Sequence, residues 1–383
     1  MGISRFLATL GLFAVILASC APAPLLPSPT APLLPSSTAP PLPSPTAPTP
    51  TETSTPTIPR IPPALPAVFT TDLLNPLDTP HTYVSDTCQY LKAKWDANNA
   101  APGTVVMVIM FHSILKPGDE PSDYNQITSG AFEILMRDLH EQEFQAINTQ
   151  QLADFLEHNA KIPPRSVLLV VDDRKTRYYF DTYFRPYWEQ WGWPVVSAWI
   201  SANRDGRDRM GWEERVQLNA EGWVDHQAHG VVHYPIIENS SEEYILNELN
   251  GSISAFQEYF NKVPIAFFWP GGNFTSHAVV LARQSGYRLG FTVNPRGPLM
   301  FDWIPLSDNP DPRRPSYMPE GPVNDPLMVL PRFWSFDADK HIDDVRVIGR
   351  EAAAYAEANK AIELEYYDIV CAPTYGPIPA ATP

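Results

Sequence analysis

Two hydrophobic patterns alternate along the chain from residue 104 onwards. Continuous apolar runs, as expected for strands buried on both faces of a sheet, are followed by segments in which apolar residues have helical spacing. The predicted strands cover residues 105–111, 166–171, 193–200, 223–229, 265–269 and 288–293. The predicted helices cover residues 129–140, 210–220, 240–260, 276–286 and 339–362. This alternation predicts a parallel sheet with outer helices, either a barrel or a doubly wound sheet.

Several of the predicted helices carry recognisable end signals. Ser129 is a good N-cap, and Ser240 with Glu243 has the spacing of a capping box. Ser276 starts a helix that Gly286 ends, because glycine tolerates the backbone conformation that follows a last helical turn. We therefore expect helices to begin at these serines.

Polar side chains follow the ends of the predicted strands. They are His112, Asp172 with Asp173, His226 with His229, residues 270–273 and Asn294. In both architectures the carboxyl ends of the parallel strands meet at one edge of the sheet, where active sites form. The sequence therefore predicts an active site at this edge.

The aspartate pair and a histidine pair are the strongest candidates for chemistry. Asp172 and Asp173 are neighbours on a strand and point to opposite faces, which predicts two different roles. His229 and His233 lie four residues apart, with His226 nearby. Catalytic zinc takes three protein ligands and keeps one position open for water, a set that two histidines and one aspartate fill. The alternatives are an aspartate that caps the next helix and two surface histidines.

The N-terminus reads as an export signal. In residues 1–19, Arg5 precedes an apolar stretch that is too short to span a membrane. Residues 17–20 (Leu-Ala-Ser-Cys) resemble the bacterial lipobox, which implies cleavage before Cys20 and lipid attachment to its thiol. The alternative is an ordinary signal peptide with an incidental cysteine. We expect an exported, extracytoplasmic protein that is anchored to the bacterial membrane by lipid alone.

Composition separates a linker from a folded part. Residues 20–66 are rich in proline, threonine and serine, which predicts a disordered, extended spacer. We expect residues 67–103 to pack as an N-terminal extension on a catalytic domain formed by residues 104–383. Cys88 and Cys371 lie near the two ends of this folded part and predict either a disulfide or two separate buried thiols.

Charge excludes one class of partner. The chain has 27 Lys and Arg against 43 Asp and Glu, a net charge of −16. Arg5, Glu52 and Arg60 are the charged residues of the first 66 positions, so the acidic excess belongs to the folded part. Nucleic-acid binding needs a basic face, so we expect no nucleic-acid partner. We expect a monomer.

With these motifs in place, the chain resembles the polysaccharide deacetylase domain (NodB homology, carbohydrate esterase family 4) over roughly residues 104–335. Residues 170–174 resemble the family's Thr-Phe-Asp-Asp-Gly motif, residues 229–233 its His-Ser/Thr-x-x-His motif and residues 268–273 its Pro-Tyr-Gly loop. Residues 286–293 and 110–114 resemble its glycine-tyrosine segment and its opening Tyr-His strand. The resemblance implies a distorted (β/α) barrel.

The resemblance also implies roles for individual residues. Asp173, His229 and His233 would bind Zn²⁺ or another divalent metal such as Co²⁺ or Ni²⁺. Asp172 would be the general base. The loop of Trp269, Pro270 and Gly271 would face the substrate, with the Gly271 N–H and the metal stabilising the oxyanion.

Four departures from the family pattern bear on activity. Arg174 replaces the glycine after the aspartate pair, Gly230 replaces Ser/Thr between the histidines, and Gly271 replaces an aromatic residue. No clear Leu-x-His motif near the C-terminus provides a general acid. Arg332 lies where one branch of the family has an arginine, and it either orients Asp172 or lies on the surface.

The substrate side of the site is predicted from aromatic residues and a long loop. Trp269 and Trp303 lie in presumed loops near the site and are candidates for stacking on a sugar ring. The segment 295–331 is long and rich in proline, and such loops often act as lids.

These observations predict a metal-dependent hydrolase of carbon–nitrogen bonds other than peptide bonds. Its reaction would remove N-acetyl or O-acetyl groups from a cell-wall or extracellular polysaccharide. One alternative is a catalytically impaired, glycan-binding relative, which Arg174 and the missing general acid would fit. A second alternative is a lipoprotein solute receptor, which leaves the aspartate and histidine pattern unexplained.

Overall fold

The computed structural model describes residues 60–381, apart from residues 203–207, 313 and 316. The predicted signal peptide (residues 1–19), the predicted lipidation site Cys20 and the predicted linker up to residue 59 lie outside the described residues. Among the helices of the described part, none combines the length and the apolar character needed to cross a membrane.

Parallel strands form the centre of the fold. The strands are β1 (Asp78–His81), β2 (Val105–Phe111), β3 (Ser113–Leu115), β4 (Gln126–Thr128), β5 (Gln145–Ala146), β6 (Arg165–Asp172), β7 (Val195–Trp199), β8 (Val224–Ala228), β9 (Ala266–Phe268), β10 (Leu289–Phe291), β11 (Ile304–Ser307) and β12 (Phe333–Trp334). The central sheet has the order β10-β9-β8-β7-β6-β2-β12, and β5 pairs with β6 beside this path. The remaining strands form two-stranded sheets, β1 with β11 and β3 with β4.

Helices cover the sheet. They are α1 (Thr87–Trp95), α2 (Ser129–Glu141), α3 (Thr149–His158), α4 (Arg177–Tyr183), α5 (Arg185–Trp191), α6 (Asp208–Glu221), α7 (Glu242–Phe260), α8 (Ser276–Gln284), α9 (Ile342–Tyr366) and α10 (Ala372–Tyr375). All seven residues of β2 are buried, as its continuous apolar run predicts. Alternate residues of β2 enter two apolar clusters, one packed against α3, α7 and α8 and the other against α2 and α9.

One short segment joins the two edges of the sheet. The backbone of Leu330 donates a hydrogen bond to Gly290 and accepts one from Thr292, at 2.8 and 2.9 Å, on the β10 side. Three residues further on, β12 runs parallel to β2. The sheet is therefore curled into a distorted (β/α) barrel, and the predicted fold class is confirmed.

Two predicted N-caps were wrong by one residue. The cap of α7 is Ser241, whose hydroxyl accepts from the Tyr244 N–H, because the Ser240 hydroxyl is used by the Ile237 N–H instead. The cap of α2 is Thr128, which precedes the predicted cap Ser129, whereas α8 begins at Ser276 as predicted. In both places an adjacent hydroxyl residue offered the same capping chemistry, which sequence spacing alone does not distinguish.

The amino end of the barrel is covered by residues from both ends of the described chain. Cys88 of α1 and Cys371 are joined by a disulfide bond with a Cα–Cα distance of 5.3 Å. Arg60 forms an ion pair with Asp368 at 2.5 Å. A cavity of about 270 Å³ lies between these segments and the barrel, with Asp302 among its lining residues.

The predicted lid, residues 295–331, is a structured segment that contains β11 and two single-turn 3₁₀ helices. Arg296 forms ion pairs with Asp78 at 2.8 Å and with Glu320 at 3.0 Å, and both carboxylates are buried. Near its end, the Tyr317 hydroxyl donates to the Gly271 carbonyl at 3.2 Å. The segment therefore contacts the predicted substrate loop while its start is fixed by buried charges.

Candidate active site

The two aspartates lie at the carboxyl end of β6 and have different surroundings. Asp172 is the last residue of the strand and is 1% exposed, whereas Asp173 is partly exposed. Asp173 has a left-handed backbone with φ of 69°, a region that short polar residues tolerate better than most. Because of this turn the Asp172 carboxylate contacts Arg332, while the Asp173 carboxylate lies near the histidine pair. The predicted difference in role has a geometric basis.

Asp173, His229 and His233 form a group with the dimensions of a metal site. The Nε2 atoms of His229 and His233 are 2.9 Å apart, and they lie 3.9 and 3.7 Å from the Asp173 Oδ1 atom. A tetrahedral zinc ion with bonds of roughly 2.0–2.1 Å holds its ligands about 3.4 Å apart. The three donor atoms therefore fit one divalent ion with small adjustments.

The tautomer of His229 also suits a metal ligand. Its Nδ1 atom lies 2.8 Å from the Phe268 carbonyl oxygen, to which an N–H at that position donates. This leaves the lone pair on Nε2, the atom that faces His233. Burial lowers the pKa of His229, and burial together with His229 lowers the pKa of His233 to about 4. Both imidazoles are therefore neutral near pH 7, the form that binds metal.

Arg332 is buried beside Asp172. Its Nη1 atom donates to both carboxylate oxygens of Asp172, at 2.8 and 3.0 Å, and its Nε atom donates to the Thr292 carbonyl at 2.6 Å. Burial opposes ionisation of Asp172, but Arg332 together with His229 and His112 outweighs it and holds the pKa of Asp172 well below its ordinary value. Of the two alternatives for Arg332, the surface position is wrong, because its side chain is buried and contacts Asp172.

His112 is a site residue to which the sequence analysis gave no role. It follows β2, and its Nε2 atom lies 3.5 Å from the Asp172 Oδ2 atom. The ring stacks on Trp334, with centroids 5.6 Å apart, and Trp334 in turn contacts the edge of Tyr124 at 4.9 Å. The position of His112 directly after the first apolar run was the available sequence signal.

Only part of the predicted substrate loop is exposed at the surface. Gly271 is exposed and has φ of 62°, and Pro270 is buried beside the histidine loop. The assignment of Trp269 to the substrate was wrong, because its ring is 0% exposed and its Nε1 atom donates to the Met328 carbonyl. Trp303 is also wrong as a sugar-stacking residue, since it is buried and donates to the Phe69 carbonyl. A ring with no free face has no room for a sugar.

Two further predicted positions, Arg174 and His226, make contacts with other parts of the barrel. The Arg174 Nε atom donates to the Ile200 carbonyl at 3.1 Å, so this guanidinium is directed toward the end of β7. His226 is fully buried within β8 and stacks on Phe260, with centroids 4.9 Å apart, so it is not part of the ligand group. The disulfide between Cys88 and Cys371 lies at the amino end of the barrel.

Comparisons with known proteins bear on the same part of the chain. Residues 159–290 match the family model described as polysaccharide deacetylase. The chain is 21% identical over 188 residues to a Bacillus subtilis (strain 168) protein named "Putative polysaccharide deacetylase YxkH". That alignment covers 49% of this chain and 64% of the relative, slightly less than two thirds of its length.

Two solved structures are also similar. The deacetylase PplD of Streptococcus pyogenes, in complex with acetate, matches with a TM-score of 0.49 and 16% identity over 64% of this chain and 99% of that one. IcaB from Ammonifex degensii matches with a TM-score of 0.47 and 17% identity over 65% of this chain and 98% of that one.

Proposed function

We propose that the chain is a metal-dependent deacetylase, because residues 159–290 match the polysaccharide deacetylase family model. Its substrate would be an N-acetylated or O-acetylated polysaccharide of the cell wall or the extracellular space. The observation that carries the proposal is that three possible metal ligands and a buried aspartate lie side by side at the carboxyl edge of the sheet. Asp173, His229 and His233 have the spacing of metal ligands, and Asp172 lies beside them with its own buried arginine.

Asp173, His229 and His233 would hold the ion, for which Zn²⁺ is the first choice because of its nitrogen and oxygen ligands. When bound, the ion would polarise the acetyl carbonyl and lower the pKa of a water molecule. Asp172 accepts the proton of the attacking water, and Arg332 keeps its carboxylate ionised and oriented. The N–H of Gly271 is our candidate for a second donor to the oxyanion.

His112 is our candidate for the proton donor to the leaving group. It lies 3.5 Å from Asp172, on the same edge of the barrel. Burial lowers the pKa of His112, and the carboxylates of Asp172 and Asp173 offset only part of this effect. The imidazole would therefore first receive the proton that Asp172 takes from the attacking water. In the reaction the bond from the acetyl carbon to nitrogen breaks, acetate leaves, and the proton passes from the imidazole to the amine nitrogen. This assignment accounts for the absence of a Leu-x-His motif.

Tyr124 and Trp334 support a sugar substrate. Tyr124 is 60% exposed, Trp334 is partly exposed, and the stack continues through His112 to the base. Aromatic faces of this kind bind the apolar faces of sugar rings. In contrast to the two tryptophans predicted from the sequence, this pair is open to a ligand beside the catalytic groups.

The cellular setting is also part of the proposal. We propose an exported monomer that is attached to the bacterial membrane through lipid on Cys20 and reaches its polysaccharide through the residue 20–66 linker. The resemblance of residues 17–20 to a lipobox and the proline-rich composition of the linker support this arrangement.

The test begins with metal content, because it needs no choice of substrate. We expect about one zinc-like ion per purified chain, and loss of that ion in His229→Ala. The matched control is His277→Ala, which removes an exposed histidine paired with Glu242 and should keep the metal. Acetate release from acetylated oligosaccharides then distinguishes a deacetylase from a relative that only binds glycan. No bound metal after incubation with excess zinc or cobalt would refute the proposal.

A further inference from the structure

The loop that carries the proposed metal ligands His229 and His233 contains two residues in the left-handed backbone conformation. Gly230 and His233 have φ of 79° and 63°, both in the left-handed region. A histidine in this region is strained and persists only where the surroundings fix the backbone. The side chain of His233 is oriented by this conformation, so the position of its Nε2 atom depends on whatever holds the loop.

A buried carboxylate holds the loop. Glu248, on the inner face of α7, is 0% exposed. Its oxygens accept hydrogen bonds from three consecutive backbone N–H groups, those of Val231 at 3.0 Å, Val232 at 3.1 and 3.2 Å and His233 at 3.2 Å. Within the described part of the chain, no cationic side chain forms an ion pair with Glu248. Charge-assisted bonds to backbone N–H groups are thus its main compensation for burial.

Close packing between α7 and the loop depends on two glycines in the sequence, Gly230 and Gly251. A Cβ atom at Gly230 would lie 2.4 Å from the Glu248 Oε2 atom, so any larger residue there would displace the carboxylate. A Cβ atom at Gly251, one helical turn beyond Glu248, would meet the Val231 side chain at 2.8 Å, unless the valine moved. Glycines on both sides therefore allow the carboxylate to reach the loop.

We propose that Glu248 is a positioning residue for the metal site. It fixes the residue 230–233 loop so that His233 faces His229 before the ion binds. Its negative charge lies behind the ligands and further favours a divalent cation. The role rests on the metal site of the proposed function, and it follows the general rule that groups behind the ligands tune affinity. The Oε2 atom alone accepts from all three N–H groups, so a neutral amide of the same size would keep an acceptor there. It would lose the negative charge and place an NH2 group against the Val232 N–H, which now donates to Oε1 as well.

The main experiment measures zinc affinity in Glu248→Gln by competition with a chelator, using the full chain. We expect binding to weaken by about 10- to 100-fold relative to the wild type. The matched control is Glu258→Gln, an exposed glutamate of the same helix, which should bind zinc as the wild type does. A purely structural role would lower the melting temperature without changing the affinity of the folded protein. Unchanged affinity in Glu248→Gln would therefore overturn the proposal.

A second measurement needs no substitution and applies even if Glu248→Gln does not fold. Amide hydrogen exchange in the metal-free wild type should show protection of the Val231, Val232 and His233 N–H groups. Exchange of these amides at the rate of an unstructured chain would refute the proposal. Failure of the wild type to bind zinc would refute the proposed function instead, so the two failures are distinguishable.

Discussion

A buried aspartate lies at each end of the barrel, and the two behave in opposite ways. Asp172, at the carboxyl ends of the strands, is 1% exposed and contacts Arg332, which keeps its pKa well below the ordinary value. Asp302, at the amino end, is 7% exposed and accepts hydrogen bonds from the backbone N–H groups of Tyr83 and Val84. Burial outweighs these two bonds and raises the pKa of Asp302 to about 6.

The comparison shows that the charge partner, more than the degree of burial, decides the ionisation of a buried carboxyl group. The carboxylate beside a guanidinium is kept charged and available for chemistry. The carboxylate that has only backbone donors serves to join the N-terminal extension to the barrel. We therefore expect changes at the first end to affect catalysis and changes at the second end to affect stability.

The largest expected effect is on catalysis. Asp172→Asn should lower kcat for acetate release by about 10²–10⁴-fold, because the amide cannot accept the proton of water. Asp302→Asn is the matched control, with the same substitution at the other buried aspartate, and should leave kcat unchanged. Steady-state kinetics on an acetylated oligosaccharide measures both. Equal losses in the two variants would show that the two ends do not differ in function.

The second effect is on the stability of the amino end. Replacing both Cys88 and Cys371 by serine should lower the free energy of unfolding by about 2–5 kcal/mol, because the disulfide closes a long loop in the unfolded chain. The residues it joins are 283 positions apart. Denaturant unfolding measures the loss, and acetate release at 25 °C should stay at the wild-type level. A large fall in kcat of the folded variant would argue against separate roles for the two ends.

The smallest effect is on pH dependence. The pKa of Asp302 is raised in the folded state, so wild-type stability should fall as pH rises from about 4 to 7. The asparagine in Asp302→Asn does not titrate. The free energy of unfolding of this variant, relative to the wild type, should therefore rise by about 1–3 kcal/mol over that pH range. Asp172 has a lowered pKa, so its contribution is lost only below about pH 4 and does not interfere. Unfolding curves of the wild type and of Asp302→Asn at several pH values test this prediction. A difference in the free energy of unfolding that does not change with pH would contradict it.

Much of the barrel could be predicted from the sequence because buried parallel strands are continuous apolar runs. The run at 166–171 corresponds to β6, which is one residue longer at each end. Short or polar elements were missed, including α1, α3 and the pairing of β1 with β11. For α3 a signal was present, since Asn148 and Gln151 form a capping box.

The candidate site was predictable only where local motifs define it. Asp172, Asp173 and the histidine pair stand in short motifs, whereas contacts between distant segments had no local signal. Arg332 meets Asp172 across 160 positions, and the N–H of the buried Trp269 donates to the Met328 carbonyl, 59 positions away. Glu248 lies in a helix whose sequence does not mark it as buried, and its role follows from packing against the histidine loop.

The segment that closes the barrel has a consequence for biosynthesis. Residues 330–334 bridge β10 and β2, and Arg332 lies within this bridge. During translation Asp172 is synthesised long before Arg332. The nascent chain therefore has an open sheet edge and an aspartate without its counter-ion. Burying that charge alone would be costly, and this cost disfavours early compaction around it. Completion of the sheet and pairing of Asp172 with Arg332 are therefore one late event, and a chain truncated before residue 330 would lack both.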